Sequence, residues 1–517
     1  MNGTTTNTGT LTAQNASLLQ TLANQSGTAT LSGSQVTGVA TNSAGATLAV
    51  SGGKLGSLSN AGEASLTQQA QVTGDVTNTN ALTIDASSVD GTTTNTDTLT
   101  VQNASLLQAL ANQSGTATLT DSQVTGATTN SAGATLAVNG GKLGSLTNAG
   151  EASLTQQALV TGDVANANAL TIDASSVNGT TTNTGTLTAQ NASLLQTLAN
   201  QSGTATLSGS QVTGVATNSA GATLAVSGGK LGSLSNAGEA SLTQQAQVTG
   251  DVTNTNALTI DASSVDGTTT NTDTLTVQNA SLLQALANQS GTATLTDSQV
   301  TGAATNSAGA TLAMNGGQLG SLTNAGEASL AQKVQVAGDV TNANALTIDA
   351  SSVAGTTTNT GTLTVQNAAL LQTLANQSGT ATLTDSQVAG AATNSAGATL
   401  AVSGGKLGSL TNAGEASLDQ KVQVAGDVTN GNALTIDASS VAGTTTNTGT
   451  LTVQNAALLQ TLVNQSGTAT LTNSQVTGVA TNSAGATLAV NGGKLGSLTN
   501  AGEASLDQKV QVAGDVT

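Results

Sequence analysis

The chain has 517 residues, a formal net charge of −18, and no Phe, Trp, Tyr, Pro, Cys or His. Without large aromatic side chains the thick core of a globular domain is excluded, and without a basic face or aromatic platforms a nucleic-acid-binding role is excluded. The lack of Cys excludes disulfides and thiolate metal sites. We therefore expect a thin core that is lined by Leu, Val, Ile and Ala.

An internal repeat organises the whole chain. The phrase Thr-Thr-Thr-Asn-Thr has its Asn at position 7 and again every 88 residues, which gives units at 7–94, 95–182, 183–270, 271–358, 359–446 and, incompletely, 447–517. Inside each unit further asparagines follow at intervals of 17 or 18 residues. This fixed period predicts a single continuous repeat rod of about 29 coils. The asparagines that mark the first coils are Asn7, Asn24, Asn42, Asn60, Asn78 and Asn95.

Short alternating stretches lie between the asparagines, for example at 47–50 and 82–85, where every second residue is apolar. Alternation predicts β-strands, and the Asn, Gly and Ser clusters between them predict corners. Glycines that follow the asparagines, such as Gly27 and Gly62, are expected to supply positive φ angles at these corners. The first predicted core column is Leu11, Leu31, Leu48, Leu66 and Leu82, the second is Leu18, Val36, Leu55, Val72 and Val89, and the third is Leu22, Val39, Leu58 and Val76.

Three or four inward apolar side chains per coil cannot form a core alone, so successive coils must stack. The sequence therefore predicts an all-β fold, a parallel β-helix (solenoid), at roughly 4.8 Å per coil and about 140 Å in length. We favour a right-handed helix, because the strict hexapeptide pattern of many left-handed ones is missing. The corner asparagines are predicted to form a structural ladder, in which each satisfies the next.

Carboxylates are the only candidates for acid–base chemistry. Glu63, Asp75 and Asp85 recur in every complete unit, and equivalent copies along a convex rod offer no single privileged pocket. Gly52, Gly53 and Lys54 lack the strand–loop–helix context of a phosphate-binding loop. We expect no catalytic residue, no cofactor and no enzymatic activity.

Two binding functions stay open as alternatives. The first is a calcium-dependent adhesin repeat with Asp85 or Asp90 near a coil junction, although single acidic residues do not predict a metal site. The second is a flat Thr-rich face that binds ice or a polysaccharide. Its predicted rows are Thr10, Thr30, Thr47 and Ser65 before the leucines, and Thr12, Ser32, Ala49, Thr67 and Thr83 after them.

Several phrases combine Leu, Asn and Gly in a recurring order: Gly-Ser-Leu-Ser-Asn-Ala-Gly at 56–62, Ser-Leu-Thr-Asn-Ala-Gly at 145–150, and Thr-Asn-Thr-Gly-Thr-Leu-Thr at 6–12. In this style of repeat the chain resembles filamentous-haemagglutinin-like adhesins of two-partner secretion and autotransporter passengers. The resemblance implies a right-handed parallel β-helix, outside a Gram-negative cell, that holds an adhesive tip away from the surface.

We therefore predict a structural stalk or filament-forming region of a secreted or surface adhesin that mediates reach, cell adhesion or a biofilm matrix. Expected partners are further copies, side by side or end to end, and an unidentified receptor. No apolar run is long enough to insert into a membrane. Because Met1 stands where Val177 stands in a matching segment, we expect a piece of a longer protein.

Overall fold

The computed structural model describes residues 3–517, and these form an all-β parallel solenoid, which confirms the predicted fold class. The chain divides into two compact units, Met1–Thr259 and Ile260–Thr517. Together the units contain about 28 turns, close to the predicted number. Met1, and the expectation that rests on it, lies outside the described residues.

Each coil contributes one strand segment to each of three parallel sheets. In the coil that ends at Asn60, Thr47–Ser51 belongs to the first sheet. Lys54–Asn60 serves the second and third sheets, and its pairing register shifts at Gly56. In the following coil the same three segments are separate strands. They are Glu63–Thr67, Gln71–Val72 and Val76–Asn78, and they pair in parallel with the coil before.

Strand bounds follow the 88-residue period. In the second repeat the strands are Thr98–Gln102, Leu106–Asn112, Thr116–Thr120, Gln123–Asn130, Thr135–Asn139, Lys142–Asn148, Glu151–Thr155, Leu159–Val160, Val164–Asn166, Ala169–Asp173 and Ser176–Asn183. The same bounds recur at multiples of 88 residues in the other repeats, with few differences. These are Thr4–Asn7, Leu18–Leu19 and Thr21–Asn24 in the first repeat, and the merged strands Thr292–Asn306, Thr311–Asn324, Thr468–Asn482 and Thr487–Asn500 in the fourth and sixth.

The first sheet has two inward columns where the sequence predicted one. Leu11, Leu48 and Leu82 share a column with Ala29 and Ala64. The placement of Leu31 and Leu66 in that column is wrong. Both occupy the second inward position of their strands, in a column that consists of Ala13, Leu31, Val50, Leu66 and Ile84.

Corner length explains this error. Four residues separate Asn42 from the strand that starts at Thr47, whereas two separate Asn60 from the strand that starts at Glu63. Because the corners differ in length, the distance of a leucine from the preceding asparagine does not fix its place in the strand. An error of two residues assigns the leucine to the neighbouring inward column. Only the strand pairing shows which side chains stack.

Two residues of the other predicted columns also point outward. Leu19, with 4% of its surface exposed, stacks on Val36, whereas Leu18 is 54% exposed. In the third sheet Ala40 is buried and Val39 is exposed. Because two apolar residues are adjacent in each case, sequence alternation did not decide which faces the core.

Most corner glycines allow adjacent coils to approach each other closely, and fewer of them adopt a positive φ angle. Gly45 has φ of +75°, as expected. In contrast, Gly27 and Gly62 do not adopt positive φ, and a Cβ on either would collide with the preceding coil. On Gly62 it would lie 2.8 Å from Asn42 Nδ2. The expectation of positive φ at these two glycines is therefore wrong, and the coil spacing is the reason that they are glycines.

Candidate functional site

The six marker asparagines lie on successive coils and hydrogen-bond to one another. Asn42 Nδ2 donates to Asn60 Oδ1 at 2.8 Å, and Asn60 Nδ2 donates to Asn78 Oδ1 at 2.7 Å. Asn60 Nδ2 also donates to the backbone oxygen of Ala81 at 2.9 Å. If the Asn60 amide were flipped, its oxygen would face the backbone oxygen of Ala81. The Ala81 carbonyl therefore fixes the orientation of the Asn60 side chain.

The asparagine ladder extends beyond the first repeat. In the first compact unit it runs without a gap from Asn7 to Asn254, and every amide donates toward the later coil. In the second it runs from Asn271 to Asn500 in the same direction. Within each unit the side-chain ladder runs in parallel with the backbone ladders.

The recurring aspartates hold the backbone or side chains of the next coil. Asp75 Oδ1 accepts a hydrogen bond from the backbone nitrogen of Thr92 at 2.8 Å. Asp85 accepts from Gln102 Nε2 at 3.2 Å and from Asn103 Nδ2 at 2.7 Å. Both carboxylates therefore accept hydrogen bonds from the next coil, and their role is structural.

Asp90, the other calcium candidate, accepts a hydrogen bond from Gln71 Nε2 at 2.7 Å. In the part of the chain that the structure describes, no three acidic side chains group closely enough to hold a metal ion. A calcium site needs several oxygen ligands around one point, and single carboxylates bonded to amide donors do not supply them.

Glu63 lies in a shallow groove on the outer surface of the first sheet. The groove has a volume of about 250 Å³ and is lined by Thr47, Glu63, Ser65, Ala81 and Thr83, among others. Glu63 pairs in register with Ala81, so Asp85 lies four residues further along the neighbouring strand. At about 3.4 Å per residue this separation approaches 14 Å, which is too long for a carboxylate pair.

The outer face of the first sheet carries the threonines, in a register that differs from the predicted rows. Thr10, Thr28 and Thr47 form one column, and Thr12 and Thr30 lie beside them in the next. The predicted rows were wrong in placing Thr30 beside Thr10 and in missing Thr28, since they were aligned on the misassigned leucine column. The remaining members are also redistributed: Ser65 and Thr83 continue the column of Ala49, whereas Ser32 and Thr67 belong to a third column with Ser51.

A feature that the sequence analysis did not find lies inside the core. Thr93 is fully buried between Val76 and Leu110, and its hydroxyl has no hydrogen-bond partner. The surrounding columns are apolar, so this position would accept Val by packing alone. In the sequence, the only sign of this buried hydroxyl was a Thr at a strand position whose equivalents on adjacent coils are apolar. The same unpartnered hydroxyl occurs at Thr128, Thr181, Thr269, Thr357 and Thr445.

Comparison of the chain with protein-family models, with curated proteins and with solved structures finds no match. Across residues 3–517 no helix has the length and apolarity that crossing a membrane requires.

Proposed function

We propose that this chain is the stalk or filament-forming repeat region of a bacterial adhesin, which acts outside the cell and gives the protein reach. The observation that carries the proposal is the asparagine ladder. In each compact unit it joins every coil to the next, in addition to the parallel backbone pairing. Such a unit resists extension along its axis, which is the load that a stalk carries.

The regularity of the repeats supports the same function. Residues 7–94 and 183–270 are identical, and no repeat contains an insertion or a deletion. Stability in such a protein is a sum over coils and their interfaces, so the number of repeats sets the length without a change in the fold. A protein that is selected for reach gains from this property.

The charge of the chain suits a long stalk that is exposed to solvent. The chain carries 26 acidic and 8 basic residues, and net negative charge keeps long surfaces soluble. The style of the repeats resembles exported adhesins of two-partner secretion and autotransporters. Association with further copies of the chain and with an unidentified cell-surface or matrix receptor belongs to this proposal.

Location and reach are tested in the producing bacterium. Antibodies against the chain should label intact cells, and external protease should remove the label. For reach, four additional copies of residues 95–182 are inserted in frame. At about 4.8 Å per coil and five coils per repeat, the surface layer should thicken by about 100 Å in electron micrographs.

The matched control is a strain that secretes the same protein without the inserted copies. Labelling only after the cells are permeabilised would contradict the extracellular location. A layer of unchanged thickness, with normal surface labelling, would contradict the role in reach.

A further inference from the structure

The outer face of the first sheet carries a regular group of five threonines in every repeat. In the first repeat it consists of Thr10, Thr12, Thr28, Thr30 and Thr47, on three successive coils, and we name it the threonine patch. Equivalent threonines follow at intervals of 88 residues through the sixth repeat. Each compact unit therefore presents three such patches.

The hydroxyls of this patch are available to a ligand. In the described residues of the first, third, fifth and sixth repeats none of the five Oγ1 atoms makes a hydrogen bond to the protein. In the second and fourth repeats the first threonine of the patch is bonded, since Thr98 and Thr274 donate to Asp97 Oδ1 and Asp273 Oδ1 at 3.1 Å. Other threonines behave differently. Thr21 Oγ1 donates to Thr4 Oγ1 at 2.8 Å, and Thr67 Oγ1 donates to the backbone oxygen of Val50 at 3.4 Å.

The patch has a fixed geometry. Neighbouring threonines in one column are separated by the strand spacing of about 4.8 Å, and those in one strand by two residues, or about 6.8 Å. Threonine is branched at Cβ, which restricts χ1, and its backbone is held in a paired strand. Hydroxyl and methyl groups are thus arranged in a two-dimensional grid before any ligand arrives.

The charge pattern complements a neutral ligand. The five threonines carry no charge, and in the first repeat the carboxylates of this face, at Glu63 and Asp85, lie on the coils that follow the patch. Only the second and fourth repeats place a carboxylate directly before the patch, at Asp97 and Asp273. The sequence contains no aromatic residue, so the stacking platforms on which sugar rings usually rest are missing. A neutral ligand that itself presents a regular lattice of hydrogen-bonding groups is therefore favoured over a polysaccharide.

We propose that the threonine patches bind the surface of ice, with their hydroxyls and methyls ordering water in register with the crystal lattice. Several patches on one sheet engage the same crystal together, which raises the apparent affinity beyond that of one patch. This inference goes beyond the stalk function and does not depend on it.

The test measures how the full chain partitions into slowly growing ice, together with crystal shape and the gap between melting and freezing points. The test variant replaces the central threonine of all six patches by Lys. These positions are Thr28, Thr116, Thr204, Thr292, Thr380 and Thr468. The control makes the same change of charge on the outer side of the third sheet, at Thr41, Thr129, Thr217, Thr305, Thr393 and Thr481.

We expect the unaltered chain and the control to enter the ice, and the patch variant to lose about tenfold or more of its ice-bound fraction, equivalent to at least about 1.4 kcal/mol. Circular dichroism shows whether both variants keep the β fold. Exclusion of the unaltered chain from ice, or equal incorporation of the folded patch variant, would overturn the proposal. Binding to a neutral polysaccharide such as dextran, lost only in the patch variant and without ice binding, would overturn it in favour of a glycan.

Discussion

The asparagine ladder makes a quantitative prediction at Asn148, which lies in the interior of the first compact unit. Asn148 Oδ1 accepts from Asn130 Nδ2 at 2.8 Å. Asn148 Nδ2 donates to Asn166 Oδ1 and to the backbone oxygen of Ala169, both at 2.8 Å, and to the backbone oxygen of Gly150 at 3.0 Å. Asn148→Leu keeps the branch at Cγ and a similar volume, so little cavity forms. It removes one accepted hydrogen bond and two N–H donors that share three acceptors, and at about 1 kcal/mol for each of these three groups it removes about 3 kcal/mol of local stability.

The assay is hydrogen–deuterium exchange of the intact chain, followed by peptide mass spectrometry. Residues 158–170 give a peptide of unique sequence, because Leu159 and Ala165 occur together only there. A loss of about 3 kcal/mol should speed exchange in this peptide about 100-fold, since every 1.4 kcal/mol is a factor of ten. Because each coil contacts only its neighbours, coils several turns away should exchange as before.

Two further variants separate hydrogen bonding from packing. Asn168→Leu makes the same replacement at an exposed position two residues beyond Asn166 and should leave exchange unchanged. Asn148→Asp keeps the shape but turns an oxygen toward Asn166 Oδ1 and the Ala169 carbonyl, so at neutral pH it should be at least as damaging as Leu. Wild-type protection in both Asn148 variants would refute the assignment of stability to the ladder.

Three other outcomes are expected. Thr93→Val removes a buried hydroxyl that has no hydrogen-bond partner and should raise the free energy of unfolding by about 1 kcal/mol. Thr92→Val, at the exposed neighbouring position, should not raise it. A loss of stability for Thr93→Val in thermal melts would show that the hydroxyl is satisfied. Gly238→Ala places a methyl against the backbone oxygens of Ala222 and Ser219 and should slow folding or prevent it. Gly209→Asp has open space and installs the residue that stands at 121, 297 and 385, so it should behave like wild type by circular dichroism. Calcium chelation should leave the melting curve unchanged, because the Asp85 carboxylate is bonded to amide donors; a lower melting temperature would restore the calcium alternative.

The sequence alone was sufficient for the class of fold. A fixed period of 88 residues, alternation within short segments and the lack of Pro together allow little except stacked parallel coils. The positions of the ladder asparagines were also readable, because a polar residue that recurs at each corner needs a partner of its own kind.

Tertiary structure decided which neighbours share a column. Leu18 and Leu19 are both apolar, and so are Val39 and Ala40, so the pattern of the chain is compatible with either residue facing inward. Stacking on Val36 selects Leu19, and stacking on Leu22 and Leu58 selects Ala40. The threonine patch depended on the same register, which is why Thr28 was missed.

The same limit applies to burial. Leu187 is fully buried because it lies between Leu170 and Ala205 on adjacent coils. The sequence determined the coil and its period, because these depend on residues close together along the chain. Burial and column membership were decided by the coil stacked next to it, because a single coil of a solenoid has no core of its own.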